Sequence, residues 1–254
     1  MSLEVNQLCF SYGSTTVLNR ISFDCQRAEV FGILGANGAG KSTLLKCMLR
    51  ILTATSGDVK LDGQDLALMP HRDRARAMSY IPQSLIAAPG LSVFQAVLLG
   101  RVPRFRWRPQ AEDLSRVEET LRELGIESLS ERIVTSLSGG ERQKVLIARS
   151  LCRDTPVLLF DEMTNSLDLK HQIEILDHLH RKTKEQGLIS VLILHDLNLA
   201  SLYCDRVLLL KGGRCGAVGT PHEVLSEQQL DATYGIRPLV LSHNEELYVL
   251  PRKG

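Results

Sequence analysis

The N-terminal part of the chain alternates apolar and polar residues in a way that predicts β-strands. Residues 3–10 and 17–25 each show this alternation, and Tyr12-Gly13-Ser14 interrupts it with a turn. Residues 57–63 predict a short strand that closes in an Asp-Gly turn. Residues 79–83 predict another strand, which ends at its proline. The pattern therefore predicts a strand-rich N-terminal region.

Two continuously apolar runs later in the chain predict strands of a different kind. Residues 157–160 and 191–194 carry no polar side chain, as is typical of parallel strands buried on both faces. Helical patterns at about 138–153 and 168–186 separate these runs. Residues 207–218 predict a closing hairpin. This alternation of helices and strands predicts an α/β fold.

Residues 84–135 change character and predict a helical insertion into the α/β domain. Ser92 is placed to cap one helix. The apolar face of a second helix is formed by Leu114, Val117, Leu121 and Leu124. Between the two helices lies a basic and aromatic segment, residues 101–109, which contains the only tryptophan. This segment is either a solvated loop or a docking surface for a partner.

Length and composition fit a single domain built from these parts. Of the 254 residues, 44% are hydrophobic and 23% are charged, which is typical of a globular protein. We expect a core of residues 1–83 and 136–236, with a helical subdomain at about 84–135. A C-terminal β extension at about 237–254 would contain two short strands over 239–250.

Charge, apolar runs and cysteines exclude several classes of protein. The net charge of +1 gives no global reason to expect nucleic acid as a partner. No apolar stretch approaches the roughly 20 residues of a membrane span. No secretory signal is visible at the N-terminus. The six cysteines are scattered, which predicts buried, reduced side chains. We therefore expect a cytoplasmic protein.

The strongest chemical motif is a glycine-rich loop between a predicted strand and a predicted helix. The loop consists of Gly35, Ala36, Asn37, Gly38, Ala39, Gly40, Lys41 and Ser42. Its glycines let the backbone N–H groups turn inward, and the helix start adds the positive end of its dipole. Lys41 would supply charge for the outer phosphates, and Ser42 a hydroxyl for Mg²⁺. The motif predicts binding of a nucleoside triphosphate.

Two adjacent carboxylates, Asp161 and Glu162, follow the predicted strand 157–160. In an open α/β sheet, ligands bind beyond the carboxyl ends of the strands. One carboxylate can hold Mg²⁺, and the other can accept a proton from an attacking water. Because a phosphate loop lies in the same chain, the pair predicts a metal ligand beside a general base.

A second glycine-rich helix start occurs at Leu137-Ser138-Gly139-Gly140-Glu141. Ser138 and Glu141 have the spacing of a capping box, so a well-capped helix is one interpretation. Two glycines are costly in a first turn unless something approaches the backbone closely. The other interpretation is therefore a second phosphate site at this helix start.

Together, these motifs resemble the nucleotide-binding subunit of ATP-binding cassette (ABC) transporters over essentially the whole chain. Residues 137–141 match the signature sequence of that family. The resemblance implies an ABC-type P-loop NTPase fold with an antiparallel β subdomain and a helical subdomain. It implies ATP and Mg²⁺ as cofactors. It also implies a dimer in which Ser138, Gly139 and Gly140 contact the ATP held by a second copy.

The resemblance assigns roles to further residues around ATP. Tyr12 matches the aromatic residue that stacks on adenine, and Thr43 completes the phosphate loop. Gln83 matches the glutamine that reaches Mg²⁺ and senses the membrane partner. In the same resemblance, Ser42 and Asp161 also hold Mg²⁺.

Three other positions match residues of the catalytic and dimer contacts. Glu162 takes the role of general base, and His195 matches the switch histidine that contacts the γ-phosphate. Asp168 matches the aspartate of the D-loop at the dimer interface. The family usually has proline after the catalytic glutamate, whereas Met163 follows it here. Losing that fixed φ would loosen the turn that aims Glu162, which affects the ATPase rate.

Local sequences at 98–103, 195–200 and 219–225 resemble the branch that energises uptake of iron-siderophore complexes, haem or cobalamin. In that branch, the segment near 84–110 lies against the permease. The candidate permease contacts are Arg104, Phe105, Arg106 and Trp107. The resemblance implies a transport-coupled ATPase (EC 7) at the cytoplasmic face of the inner membrane. A solute-binding protein would be an indirect partner.

Three alternatives differ from this prediction. Another ABC transporter, including an exporter or one for a different metal or solute, would share every catalytic motif. A soluble ABC ATPase acting on ribosomes or nucleic acid usually carries two cassettes or a long coiled-coil insertion, and this chain shows neither. A small-molecule kinase or GTPase would give no role to residues 137–141.

Overall fold

The computed structural model describes residues 1–83, 90–105, 107–162, 168–243 and 246–252. They belong to two compact units. The first unit consists of Met1–Met69 and Leu179–Gly254, and the second of Pro70–His178.

A strand-rich N-terminal region is followed by a helical segment and then by alternating helices and strands, as the sequence predicts. The strands are β1 (Ser2–Tyr12), β2 (Thr15–Gln26), β3 (Glu29–Leu34), β4 (Ser56–Leu61), β5 (Gln64–Asp65), β6 (Met78–Ile81), β7 (Val157–Phe160), β8 (Ile189–Ile193), β9 (Arg206–Lys211), β10 (Arg214–Gly219), β11 (Leu239–His243) and β12 (Glu246–Leu250). The helices are α1 (Lys41–Met48), α2 (His71–Ala77), α3 (Val93–Leu98), α4 (Ala111–Glu123), α5 (Gly139–Leu151), α6 (Leu169–Gln186), α7 (Leu197–Tyr203), α8 (Pro221–Val224) and α9 (Glu227–Tyr234).

An antiparallel sheet forms the N-terminal part of the first unit. Its strand order is β2-β1-β4-β5, and Val5 lies opposite both Phe23 and Val59. Alternate side chains of β1 and β2 are buried, which confirms the strands predicted from the alternating pattern. The register shifts beyond Val5, where Gln7 has a left-handed backbone with φ of 47°.

The first unit also contains the parallel strands that carry the phosphate loop. β3 pairs in parallel with β8 and with β9, and β9 pairs with β10 as the predicted hairpin. All six residues of β3 are buried because strands flank it on both sides. At the C-terminus, β11 and β12 are the two short strands expected over 239–250, and they form an antiparallel pair.

The second unit combines a parallel pair of strands with packed helices. β6 pairs with β7, so that Ile81 lies opposite Phe160. α3, α4 and α5 share one hydrophobic core, which includes Val97, Val117 and Val145. The described residues between 90 and 135 contain no strand, in accord with the helical pattern of this segment.

The predicted apolar face of α4 is wrong at its first turn. Leu114 is 40% exposed, whereas Val117 and Leu121 are buried as predicted. The buried position at this turn belongs to Asp113, whose carboxylate pairs with Arg101. An ion pair therefore replaces the expected leucine contact.

Cysteine burial is confirmed in part. All six cysteines lie within the described residues and are unpaired thiols, and Cys25, Cys47, Cys152 and Cys204 are buried. Cys215 is exposed because it lies on the edge strand β10. Among the described helices, none is both long and apolar enough to cross a membrane.

Candidate functional site

The phosphate loop starts where β3 ends, and its shape requires glycine at the first position. Gly35 has φ of 150°, and a Cβ there would lie 2.3 Å from the carbonyl oxygen of Leu210. The loop ends at Gly40, which has no side chain to cap the start of α1. The first turn of α1 contains Ser42 and Thr43 and no acidic residue, so its N–H groups and dipole favour an anion.

Lys41 is buried inside this loop. Its ammonium donates hydrogen bonds to the carbonyl oxygens of Gly35, at 2.8 Å, and Ala36, at 3.2 Å. These bonds hold a positive charge against the loop backbone, as required for contact with outer phosphates. The chemistry predicted for Lys41 is therefore supported by its position.

Two tyrosines of the first unit, Tyr12 and Tyr234, differ in their surroundings. Tyr12 is 53% exposed and packs edge-on against Phe10, with ring centroids 4.7 Å apart. Its ring is accessible for the predicted stacking on a base. Tyr234, which no sequence signal singles out, accepts a hydrogen bond from the backbone N–H of Gly35. Burial raises the pKa of Tyr234, although that hydrogen bond opposes the shift.

The second unit holds the two carboxylates, in different environments. Asp161 is buried and accepts a 2.8 Å hydrogen bond from the hydroxyl of Tyr80. Burial and this contact raise the pKa of Tyr80 well above its ordinary value, so Tyr80 remains a donor. Glu162 is less buried and accepts a 2.9 Å hydrogen bond from the amide of Gln83. The structure thus brings two predicted residues, Gln83 and Glu162, into direct contact.

The backbone at Glu162 is left-handed, with φ of 53°. Non-glycine residues rarely adopt this conformation, and those that do cluster at functional sites. Met163, whose effect on this turn is a prediction, lies outside the described residues, as does the segment Thr164 to Leu167.

The second glycine-rich helix start is capped by its own residues. The Ser138 hydroxyl accepts a hydrogen bond from the Glu141 N–H, and the Glu141 carboxylate accepts one from the Ser138 N–H at 2.7 Å. That N–H lowers the pKa of Glu141. No described atom lies within 4 Å of a Cβ built on Gly139, so the glycine faces open space. Close packing within the described chain therefore does not explain Gly139.

A cleft of about 550 Å³ joins this helix start to the predicted D-loop aspartate. Its lining includes Ser138, Gly140, Lys144, Asp168 and His171. Asp168 accepts hydrogen bonds from the His171 backbone at 2.9 Å and ring at 2.8 Å, which lower the Asp168 pKa. Three of the four residues predicted to meet a second copy, Ser138, Gly140 and Asp168, therefore line one cleft.

His195 is exposed in the first unit and follows β8 after one intervening residue, Leu194. The next residue, Asp196, caps α7 by accepting hydrogen bonds from the backbone of Asn198 and Leu199. The Asn198 side chain pairs with the backbone of Val249 through bonds of 2.7 and 3.3 Å. The helix that follows His195 is thus tied to β12, a contact that the sequence did not indicate.

The segment 101–109 is partly tied down and partly exposed. Arg104 donates a 2.9 Å hydrogen bond to the carbonyl oxygen of Arg153, whereas Trp107 is 98% exposed. The carbonyl of Phe105 accepts a hydrogen bond from Arg72. Arg106 lies outside the described residues. An exposed tryptophan at the outer end of a fixed segment is typical of a contact surface.

The side-chain oxygens of the predicted metal ligands are of the kind that Mg²⁺ takes when it binds together with a nucleotide. Among the described residues, no cluster of three or more His, Cys, Asp or Glu side chains could hold a metal ion. Mg²⁺ at nucleotide sites needs only one or two protein oxygens, because the phosphates and water supply the rest. The carboxylate of Asp161 and the hydroxyl of Ser42 are oxygens of that type.

Comparison with known sequences identifies the family. A family model described as ABC transporter matches residues 18–165. The chain is 40% identical over 248 residues to hemin import ATP-binding protein HmuV of Pseudomonas entomophila, covering 96% of each chain. It is 39% identical over 229 residues to petrobactin import ATP-binding protein FpuD of Bacillus anthracis, covering 89% of this chain and 84% of that protein.

Solved structures agree, and they confirm the predicted fold. A chain of a transporter described as metal-chelate type, in an inward-facing conformation, has a TM-score of 0.85 at 27% identity and covers 99% of this chain and 98% of that chain. A dimeric ATP-binding cassette bound to ADP and phosphate has a TM-score of 0.79 at 25% identity, covering 86% of this chain and 98% of that chain. The chain belongs to the ABC transporter family, as a transport-coupled ATPase subunit that binds ATP.

Proposed function

We propose that this chain is the ATP-hydrolysing subunit of an importer for an iron-siderophore, haem or cobalamin-type solute. The observation that carries the ATPase part is a pair of anion-attracting helix starts of different kinds, at Lys41 and at Ser138. The relatives named for import of hemin and petrobactin support the choice of branch. The match to a metal-chelate type transporter supports it further.

In this proposal, nucleotide binding uses one set of residues from each of two copies. The residues that bind ATP are Tyr12, Gly35, Ala36, Asn37, Gly38, Ala39, Gly40, Lys41, Ser42, Thr43 and Gln83. The residues that contact the ATP of the second copy are Ser138, Gly139 and Gly140, with Asp168 at the same interface. The dimeric cassette among the structural matches supports this arrangement.

Hydrolysis depends on how the chain holds an attacking water. Mg²⁺ would be held by Ser42, Gln83 and Asp161, and when bound it neutralises charge on the β- and γ-phosphates. Glu162 accepts the proton of the water, and the Gln83 amide orients its carboxylate. His195 donates to the γ-phosphate from the start of α7.

Partners and location follow from the same assignment. Permease subunits contact Arg104, Phe105, Arg106 and Trp107, and a solute-binding protein acts indirectly, on the far side of the membrane. The chain lies peripherally at the cytoplasmic face of the inner membrane, and nucleic acid is not a partner. Within the chain, residues 84–135 act as the helical subdomain, with 237–254 as an extension of the core 1–83 and 136–236.

Replacing Glu162 tests the chemical assignment. Glu162→Gln removes the proton acceptor but keeps the shape of the side chain, so the ATPase kcat should fall roughly 10²- to 10⁴-fold. ATP binding, measured by calorimetry, should persist. Glu131→Gln, an exposed carboxylate elsewhere, is the matched control and should keep the wild-type kcat. Unchanged hydrolysis by Glu162→Gln would mean that another group is the base.

Uptake assays test the solute class. Source cells that lack the gene for this chain should lose uptake of one radiolabelled solute among an iron-siderophore complex, haem and cobalamin. The wild-type gene should restore uptake, and the Glu162→Gln variant should not. Normal uptake of all three in the deletion strain would reject the importer branch while leaving the ATPase assignment intact.

A further inference from the structure

Arg101 is buried although it begins an exposed basic segment. Only 4% of the residue is exposed. Its guanidinium pairs with Asp113 at 2.9 Å and with Asp154 at 2.6 Å, and it donates a 3.1 Å hydrogen bond to the carbonyl oxygen of Cys152. A charge withdrawn from water is costly unless it is paired, and Arg101 is paired with two carboxylates. These contacts fix Arg101 to the loop between α5 and β7.

Neighbours of Arg101 reach the same loop. Arg104 donates to the carbonyl oxygens of Arg153 and Asp154. A Cβ on Gly100 would lie 2.0 Å from the carbonyl oxygen of Arg149, in the last turn of α5. This close backbone approach is possible only for glycine. Contacts from Gly100, Arg101 and Arg104 therefore attach residues 99–105 to the end of α5 and to the loop after it.

The other side of the segment is attached to α2. Arg76 donates a 3.0 Å hydrogen bond to the carbonyl oxygen of Pro103, and Arg72 a 2.9 Å bond to that of Phe105. α2 leads directly into β6, and Gln83 follows two residues after that strand. Residues 99–105, which we name the clamped segment, are thus held from both sides.

The loop that Arg101 contacts lies between two elements that lead to predicted site residues. α5 begins at the Ser138 cap and ends at the loop that Arg101 grips. β7 starts after that loop and ends directly before Asp161 and Glu162. A displacement of the clamped segment therefore moves the loop between α5 and β7. This loop joins the helix that begins at the signature sequence to the strand that ends before both carboxylates. The exposed Trp107 lies two residues beyond the segment.

We propose that Arg101 is a positioning residue. It transmits a permease contact made at Trp107 to the loop between α5 and β7. The inference rests on the proposed permease contact and names the residue through which that contact acts. Arg101 touches neither nucleotide nor metal. Its effect is on the relative placement of Ser138 and of the Asp161–Glu162 pair.

The ion pair between Arg101 and Asp113 persists near neutral pH. Burial alone would raise the pKa of Asp113, yet the Gln110 N–H and the Arg101 guanidinium hold it below its ordinary value. Asp154 also accepts a 2.9 Å hydrogen bond from Arg116, a residue of α4 outside the clamped segment. Arg116 therefore offers a matched control, because its removal weakens the same cluster without releasing the segment.

The test compares ATPase rates with and without inside-out membrane vesicles from source cells that lack the gene for this chain. The vesicles carry the permease, and the stimulation ratio is the rate with vesicles divided by the rate without. Arg101→Met should lower this ratio by roughly 2- to 30-fold. Arg116→Met should keep the wild-type ratio. Melting temperatures of all proteins are measured in parallel.

Each outcome is decisive. Absence of stimulation for the wild type rejects the proposed permease contact itself. A stimulated wild type with an unchanged ratio for Arg101→Met rejects the positioning role, and so does an equal loss for Arg116→Met. If Arg101→Met does not fold, Arg101→Lys decides, since lysine keeps a buried cation but not the two-sided guanidinium contact. A lowered ratio for Arg101→Lys at wild-type melting temperature supports the proposal, and a full ratio rejects it.

Discussion

The starts of α1 and α5 are both glycine-rich, but they satisfy their backbone donors in opposite ways. α1 begins after Gly40, without a side-chain cap, and Lys41 lies against the loop carbonyls. α5 begins with a complete capping box from Ser138 and Glu141. The first helix start has no side-chain cap, whereas the second bonds part of its own donors through its cap.

The surroundings of the two starts differ in the same sense. Gly35 is forced by the nearby backbone of Leu210, so the fold itself shapes the phosphate loop. Gly139 faces open space among the described residues, so no described neighbour requires a glycine there. In the proposed dimer, this difference fits an α1 start that binds nucleotide within one chain and an α5 start that contributes to the ATP held by the other copy.

Between the two helix starts, the largest expected effect is at Lys41. Lys41→Met removes the charge that meets the outer phosphates, so ATP affinity should fall roughly 10- to 150-fold. Isothermal titration with ATP measures the loss. Lys46→Met, in the last turn of the same helix, is the control and should bind ATP as the wild type does. Full affinity in Lys41→Met would show that the two helix starts do not differ in the way described.

An intermediate effect is expected at Ser138. Ser138→Ala removes a cap and a hydroxyl donor, so kcat should fall about tenfold while ATP affinity of the single chain stays unchanged. The cap loss should cost about 1 kcal/mol of unfolding free energy.

Ser92→Ala is the matched control for Ser138→Ala, because Ser92 caps α3 with the same kind of capping box. It should lose similar stability in chemical denaturation and keep the wild-type kcat. Equal loss of kcat in both variants would reduce the role of Ser138 to helix capping.

The smallest effect is expected at Gly139. Gly139→Ala adds a methyl group that meets no described atom, so helix propensity should stabilise the fold by about 0.5–1 kcal/mol. The same methyl should hinder approach of the second copy's ATP and lower kcat a few-fold. Melting temperature and ATPase rate, measured together, check this. A stabilised variant with full kcat would show that nothing approaches Gly139 closely.

Much of the fold was predictable because its determinants are local. The alternation in β1 and β2, the apolar runs of β7 and β8, and the caps at Ser92 and Ser138 each depend on residues a few positions apart. The phosphate loop is predictable for the same reason. Short helices such as α7 were missed, because seven residues carry too little periodicity to stand out.

The rest of the site depends on contacts between residues distant in sequence. In the sequence, Arg101 belongs to a basic segment that is expected at the surface. In the structure it is buried and pairs with carboxylates 12 and 53 positions away. The same ion pair displaced Leu114 from the helix face predicted for it. Asn198 meets Val249 across 51 positions. No local pattern records such pairings. The residues of the nucleotide motifs were therefore predictable from the sequence, whereas the distant contacts that hold the surrounding segments were not.

The division of the chain into units has a consequence for the order of synthesis. The second unit, Pro70–His178, is continuous, so it can form as soon as its own residues have left the ribosome. The first unit is interrupted, and β3 waits for β8 and β9, which are made more than 150 residues later. The phosphate loop therefore follows an unpaired strand through most of translation. In this protein, the part that binds nucleotide is among the first to be synthesised and among the last to be finished.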